Sequence, residues 1–151
     1  NNGEKLVVFC WFKDTANELK RTFKNSLLIS GDVKEDDINR NIKLFQEDKN
    51  YPLIIVTYKK GGAGITLTAA SKCACIELGW TYKDQAQAED RCHRIGAKNA
   101  VNCYSFIGEN TFDEPLYETI QGRGEMEKAA TGGTTTIKTT IAKYMSNIIN
   151  S

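Results

Sequence analysis

Two arginines, Arg91 and Arg94, stand three residues apart in the stretch DQAQAEDRCHRIG (84–96), with Gln87 one helical turn upstream. On a helix, Gln87, Arg91 and Arg94 fall at i, i+4 and i+7 and make one polar stripe. Ala88, Cys92 and Ile95 make a second stripe, rotated by one residue, that can bury against a sheet while the first looks over its edge. Asp84 suits the N-cap position, and Gln87 three residues later completes a start resembling a capping box. Arginine favours an anion site because its planar fork is always charged and matches phosphate oxygens. The same spacing also fits a solvated arginine face with surface ion pairs to Glu89 or Asp90, which contribute only about 0–1 kcal/mol. Spacing alone does not choose between the two.

A second segment with possible anion chemistry is TYKKGGAG (57–64), which follows an apolar run. Glycines let backbone N–H groups approach a phosphate, and the N-terminus of a following helix favours anions. Lys59 and Lys60 add local positive charge. A Walker A loop is excluded, because Ile65-Thr66 follows Gly64 and no Gly-Lys-Ser or Gly-Lys-Thr occurs anywhere in the chain. A tight strand-to-helix turn with no ligand is the competing reading of this segment.

The elements that must hold these segments alternate between two periods. LVVFCWF (6–12), SLLIS (26–30), YPLIIVT (51–57), CACIEL (73–78) and AVNCYSFI (100–107) read as five strands. Between them, Ala16, Leu19 and Phe23 mark one helix face, opened by a Thr15–Glu18 capping box, and Ile38, Ile42 and Phe45 mark a second. A short helix is expected through ITLTAAS (65–71), then the helix bearing the arginines. Strand and helix in alternation, with strands that are near-continuous apolar runs, imply an α/β fold: a parallel sheet with helices on both faces. Ligands of such sheets meet the carboxyl ends of the strands, where both anion-friendly segments would lie. Residues 111–130 read as a further helix, with Pro115 in its first turn and Gly122 and Gly124 breaking or fraying it. TGGTTT is a flexible link, and Ile137, Ile141, Tyr144 and Ile148 form one face of a last amphipathic helix. The expected division is 1–130 for the α/β lobe and 131–151 for the link and helix.

Bulk composition narrows the function classes. With 20 basic against 19 acidic residues, any polyanion site must be a local patch. Five cysteines without a repeated spacing make a poor disulfide framework and read as buried, reduced thiols of an intracellular protein. Cys73 and Cys75 share a strand face but lack a second ligand pair, and His93 is the single histidine, so no metal site is expected. No run is long and apolar enough for a membrane span, and no signal peptide opens the chain. The strand-like run that begins at Leu6 suggests a piece of a longer protein.

Taken together, IIVTYKKGGAGITLTAAS and IELGWTYKDQAQAEDRCHRIG resemble motifs V and VI of Swi/Snf-type ATPases, within the superfamily-two helicases. The QAEDRxHRIG form is most similar to the annealing-helicase branch and its bacterial and phage relatives. VVFCWF resembles motif IV, LLISGDV and LFQED the segment after it, and TFDEPLYETI the helix after the last strand, so the likeness covers residues 5 to about 130. It implies the second, C-terminal RecA-like lobe of a motor that clamps ATP between two lobes and tracks double-stranded DNA. Arg91 and Arg94 then match the arginine fingers that act on the γ-phosphate, Gln87 the glutamine that orients them, and Gly64 a glycine near the nucleotide. Lys59, Lys60, Gly61, Gly62, Thr66, Ser30 and Gly31 match positions near the DNA backbone. ATP and Mg²⁺ would be held mainly by a first lobe, leaving this chain inactive alone and monomeric. The location implied is cytoplasmic for a bacterial or phage protein and nuclear for a eukaryotic one. The family usually has Ala-Gly-Gly at residues 60–62, Asn at Thr66, Asp at Ser71, Gln at Ala97, and proline after the tryptophan of WTYKD. These departures bear on the DNA contacts of motif V rather than on ATP turnover. The contrasting readings are a RecA-like module that binds nucleic acid or a partner protein without turnover, and the lobe of a strand-separating helicase.

Overall fold

The computed structural model describes residues 3–61, 64–77, 82–93, 100–111 and 113–131. Five parallel strands, β1 (Leu6–Cys10), β2 (Ser26–Ile29), β3 (Leu53–Thr57), β4 (Lys72–Cys75) and β5 (Asn102–Ser105), form one sheet in the order β2-β3-β1-β4-β5. The helices are α1 (Lys13–Thr22), α2 (Glu35–Glu47), the single turn α3 (Tyr58–Gly61), α4 (Tyr82–Asp90) and α5 (Asp113–Thr131). The expected α/β class is therefore the observed one, and the strands are shorter than their apolar runs. The last amphipathic helix expected over 137–148 and the link before it lie outside the described residues.

Strand residues alternate between the two faces, as a period of two requires. Val7, Phe9, Leu27, Ile29, Ile54, Val56, Cys73 and Cys75 pack on one face with Ile38 and Phe45 of α2 and Ala88 of α4. Val8, Cys10, Ile55 and Ala74 pack on the other with Ala16 of α1. β1 lies at the centre and pairs over its whole length with β3, from Leu6 opposite Leu53 to Cys10 opposite Thr57. On its other edge it pairs with β4. Because β2 and β3 extend to one side of β1 while β4 and β5 extend to the other, the chain changes direction between β1 and β4.

Helix ends depart from the sequence expectations. Thr15 and Glu18 do not form a capping box: α1 begins at Lys13, its N-cap Phe12 offers no side-chain bond, and Thr15 Oγ1 donates instead to Glu77 Oε1 at 2.6 Å. α5 runs through Gly122 and Gly124 to Thr131 without a break. ITLTAAS is not helical, because its amides turn to other elements: Leu67 N–H donates to the Arg91 carbonyl and Ala69 N–H to the Gln46 side chain. At the opposite edge of the sheet the buried Lys5 does the work of a helix cap. Its ammonium donates to the carbonyls of Phe45 and, at 2.7 Å, of Asp48, closing the C-terminus of α2, which has no basic residue in its last turn. Burial lowers the Lys5 pKa against the opposing charge of Asp48.

The cysteines divide. Cys10, Cys75 and Cys92 are buried free thiols, as expected. Cys73 and Cys103 instead form a disulfide, correcting the reading of five reduced thiols. Parallel pairing sets them directly opposite each other on β4 and β5, with Cα atoms 4.6 Å apart, a register that the spacing of 30 residues does not reveal. Burial pushes each free thiol from 9.0 up to about 12, assisted at Cys10 by the charge of Glu77 and at Cys75 and Cys92 by that of Glu89. A thiol that stays protonated in the fold stabilises it fully below the unfolded pKa, and this stability is lost as pH rises through the folded value. The denaturation midpoint should therefore decline from about pH 9 upward, each thiol adding up to about 1.4 kcal/mol per pH unit. Urea titrations between pH 8 and pH 10.5 should show a shallower decline in Cys92→Ala, and a slope equal to the parent chain's would refute this assignment.

Candidate functional site

The carboxyl edge of the sheet carries several of the residues singled out from sequence. β2 runs into Ser30 and Gly31, and β3 into α3, which carries Lys59 and Lys60. These two strand ends are neighbours, since β2 and β3 pair from Ser26 opposite Leu53 to Ile29 opposite Val56. An ion pair of 3.6 Å between Lys60 Nζ and Glu35 joins α3 to the first turn of α2. Lys59 is exposed, whereas the Ser30 side chain is buried. Gly31 is exposed, and a Cβ there would only brush the Lys13 side chain at 3.5 Å. Gly61 closes α3, and Gly62 lies outside the described residues. Gly64 adopts φ +79°, a left-handed conformation that favours glycine over any side chain. The chain that follows it is not a helix, so no helix N-terminus faces an anion at this loop.

α4, which carries Gln87, packs against α3, and Arg91 follows its last residue. It begins at Tyr82, which makes Asp84 a first-turn residue rather than the N-cap. There its carboxylate still complements the positive end of the helix dipole. α4 ends at Asp90, and the backbone then tightens: Arg91 N–H donates to Ala88 O at 3.2 Å and Cys92 N–H to Glu89 O at 3.0 Å. Ala88 and Cys92 are buried against the sheet, as the apolar stripe requires. Arg91 is also buried, at 8 % exposure, which rules out the solvated arginine face at this position. A guanidinium removed from water needs anionic or hydrogen-bonding partners. Arg94 lies outside the described residues.

One backbone bond unites the two anion-friendly segments. Leu67 N–H donates to the Arg91 carbonyl at 2.9 Å, and Leu67 is fully buried. Thr66, next to Leu67 and half-buried, is thereby held beside the turn that carries Arg91. Beneath them Tyr58 stacks obliquely on Phe9 and Trp11, with ring centroids 5.9 and 5.8 Å away. Burial drives its phenol pKa upward, with Cys75 and then Cys10 and Glu89 adding to the shift, so Tyr58 is a packing residue rather than an acid or base. Among the described residues no group of three or more His, Cys, Asp or Glu side chains could hold a metal ion. No described helix is long and apolar enough to cross a membrane.

Two residues that brace these segments, one at each edge of the sheet, escaped the sequence reading. Glu77, at the exit of β4, accepts from Trp11 N–H at 2.8 Å, Phe12 N–H at 2.9 Å and the Thr15 hydroxyl at 2.6 Å. Its carboxylate thus fills the N-terminus of α1 at the point where the strand order reverses. The only signal in the sequence was an acid closing an apolar run, and nothing local pairs it with residues 62 to 66 positions earlier. Gln46, on α2, accepts from Ala69 N–H at 2.8 Å and donates to Thr68 Oγ1 at 3.0 Å. Truncating Glu77 leaves two amides and a hydroxyl of the α1 start without their acceptor. Glu77→Ala should cost about 2–3 kcal/mol in urea denaturation, while Glu77→Gln, whose amide oxygen can serve both N–H groups, should cost less than about 1 kcal/mol. Equal losses in the two variants would show that charge, and not the bond geometry, holds the helix.

Comparison with known proteins agrees with this architecture. Residues 1–96 match the model of the helicase conserved C-terminal domain. The human DNA excision repair protein ERCC-6-like is 32% identical over 137 residues, covering 87% of this chain and 11% of that protein. A Mycoplasma pneumoniae protein named as an uncharacterized ATP-dependent helicase is 33% identical over 129 residues, covering 83% of this chain and 12% of that one. The crystal structure of the C-terminal part of the Fun30 ATPase domain superimposes with a TM-score of 0.74 at 28% identity, over 78% of this chain and 39% of that one. The chain spans about a tenth of the curated relatives it matches. These matches come from both eukaryotic and bacterial proteins and do not single out the annealing-helicase branch or its bacterial and phage relatives. With its parallel sheet, strand order and motif-bearing edge, the chain belongs to the helicase conserved C-terminal domain family, among the RecA-like lobes of Swi/Snf-type ATPases.

Proposed function

We propose that this chain is the second motor lobe of an ATP-dependent translocase on double-stranded DNA. In this reading a first lobe of the same protein holds ATP, and Arg91 and Arg94 reach its γ-phosphate. The observation that carries it is the bond from Leu67 N–H to the Arg91 carbonyl, which ties the segment after the lysines to the arginine turn. Nucleic acid touching one segment therefore bears on the other through a single buried residue.

Hydrolysis requires water to attack the γ-phosphorus as the bond to the β–γ bridging oxygen breaks, and negative charge spreads over the γ-oxygens. The guanidinium groups of Arg91 and Arg94 would meet that charge with fixed forks, and Gln87, one turn before Arg91, would orient them. Gly64 would approach the nucleotide by its backbone. Mg²⁺, which neutralises the phosphates, belongs with the triphosphate on the first lobe, since this chain has neither a Gly-Lys-Ser/Thr sequence nor, among its described residues, an acidic cluster to hold it. Burial of Arg91 supports this role, because a desolvated cation interacts more strongly with a phosphate than one in water.

Backbone phosphates of the duplex would be met along the β2 and β3 ends by Lys59, Lys60, Gly61, Gly62 and Thr66, and by Gly31 next to the buried Ser30. Contacts of this kind are independent of sequence and weaken steeply with salt. The relatives' names point the same way: one is a DNA excision repair protein, another an ATP-dependent helicase.

The test is ATP hydrolysis by this chain joined to its native upstream segment, with and without double-stranded DNA. Turnover should be DNA-stimulated, and Arg94→Ala should lower kcat by about 10³-fold or more, with Arg91→Lys separating loss of the fork from loss of the buried charge. Circular dichroism should match the parent protein. Near-normal turnover in Arg94→Ala would remove the finger assignment. A folded, DNA-bound protein without turnover would favour the binding-module reading, and strand separation without translocation would favour the unwinding one.

A further inference from the structure

α2 crosses the sheet from its carboxyl edge to its amino edge and meets the motif-bearing segments at both ends. Near its start, Glu35 pairs with Lys60. Eleven residues on, about 17 Å along the helix axis, Gln46 reaches the turn at Thr68-Ala69. The orientation of that side chain is set by chemistry. The Ala69 amide can only donate, so it takes the carboxamide oxygen, and the NH₂ group then donates to the Thr68 hydroxyl. Ala70 N–H closes the same turn onto Leu67 O at 3.1 Å, and Leu67 N–H is the donor to Arg91. From Gln46 to Arg91 the path therefore runs through one two-point side-chain contact, one turn and one backbone bond.

We propose that Gln46 is a positioning residue that transmits DNA contact at Lys60 and Thr66 to Arg91 by clamping the turn at residues 67–70. This rests on the functional reading above, which assigns Thr66 to nucleic acid and Arg91 to ATP. Residues 64–67 have no helix or strand to hold them, and a loop without such support has many conformations. The Gln46 clamp selects the one in which the Leu67 amide faces the arginine turn. The fold does not depend on it, since α2 is anchored on the sheet by Ile38 and Phe45 and its C-terminus is closed by Lys5.

Two variants of the full-length protein separate this role from a merely structural one. Gln46→Met keeps the length and apolar stem and deletes both bonds. Gln46→Glu keeps the shape and can accept from both the Ala69 amide and the Thr68 hydroxyl. In Gln46→Met, the ratio of DNA-stimulated to basal kcat should fall about fivefold or more, the scale of one lost hydrogen bond, with basal kcat within about twofold of the parent. Hydrogen exchange of peptides spanning residues 65–71 should quicken by a similar factor, while peptides of β3 stay protected. Gln46→Glu should restore both readouts. An unchanged stimulation ratio in Gln46→Met overturns the proposal, as does an equal fall in basal and stimulated kcat, or failure of Gln46→Glu to rescue. A parent protein with no DNA-stimulated turnover defeats the functional reading itself, whereas a stimulated parent with a normal Gln46→Met variant defeats this inference alone.

Discussion

Strand β1 is paired on both edges by parallel neighbours, and the rest of the lobe follows from that. Parallel strands cannot be joined by hairpins, so each connection must cross a face of the sheet. The crossings bury both faces and deliver every strand exit to one edge. They also leave the ends of the crossing helices near the ends of the strands. Neither α1 nor α2 has a side-chain N-cap of its own, and α2 has no basic residue in its last turn. Strand-end residues supply what is missing. Lys5, before β1, closes the negative end of α2, and Glu77, after β4, closes the positive end of α1. Each places a charge where the helix dipole favours it, and each ties a helix to the sheet across a long stretch of sequence.

Glu77 also shapes the chemistry of the edge. In open α/β sheets the reversal of strand order leaves a crevice suited to a phosphate. Here a carboxylate already occupies the amides that would receive one, at Trp11 and Phe12. Cationic residues near the motif segments are Lys59 and Lys60 of α3 and the buried Arg91, whose carbonyl accepts from Leu67 N–H.

Much of the architecture could be read along the chain. Near-continuous apolar runs located all five strands and stripes of period 3.6 located α1 and α2, because burial of a continuous face leaves a record along the chain. Ala88 and Cys92 were legible as a buried stripe for the same reason. The errors were local and share one origin. Thr15 looked like a cap, ITLTAAS like a helix, and Asp84 like a helix start, because each has the right local chemistry. In the fold, Thr15 turns to Glu77, Leu67 to Arg91 and Ala69 to Gln46, and partners remote in sequence outcompete the local bond. Gly122 and Gly124 failed as helix breakers: a glycine costs a helix only about 1 kcal/mol relative to alanine, and α5 continues past both.

By itself the sequence determined the fold class, the presence of a motif-bearing edge and the residue types gathered there. These follow from periodicity and from side-chain chemistry, both of which are properties of neighbours along the chain. Only the tertiary structure decided the burial of Arg91, the disulfide between Cys73 and Cys103, and the roles of Lys5, Gln46 and Glu77. All of these depend on strand register and on which helix covers which face. Pairing across the sheet brings residues tens of positions apart to within a hydrogen bond, and no local pattern records that distance.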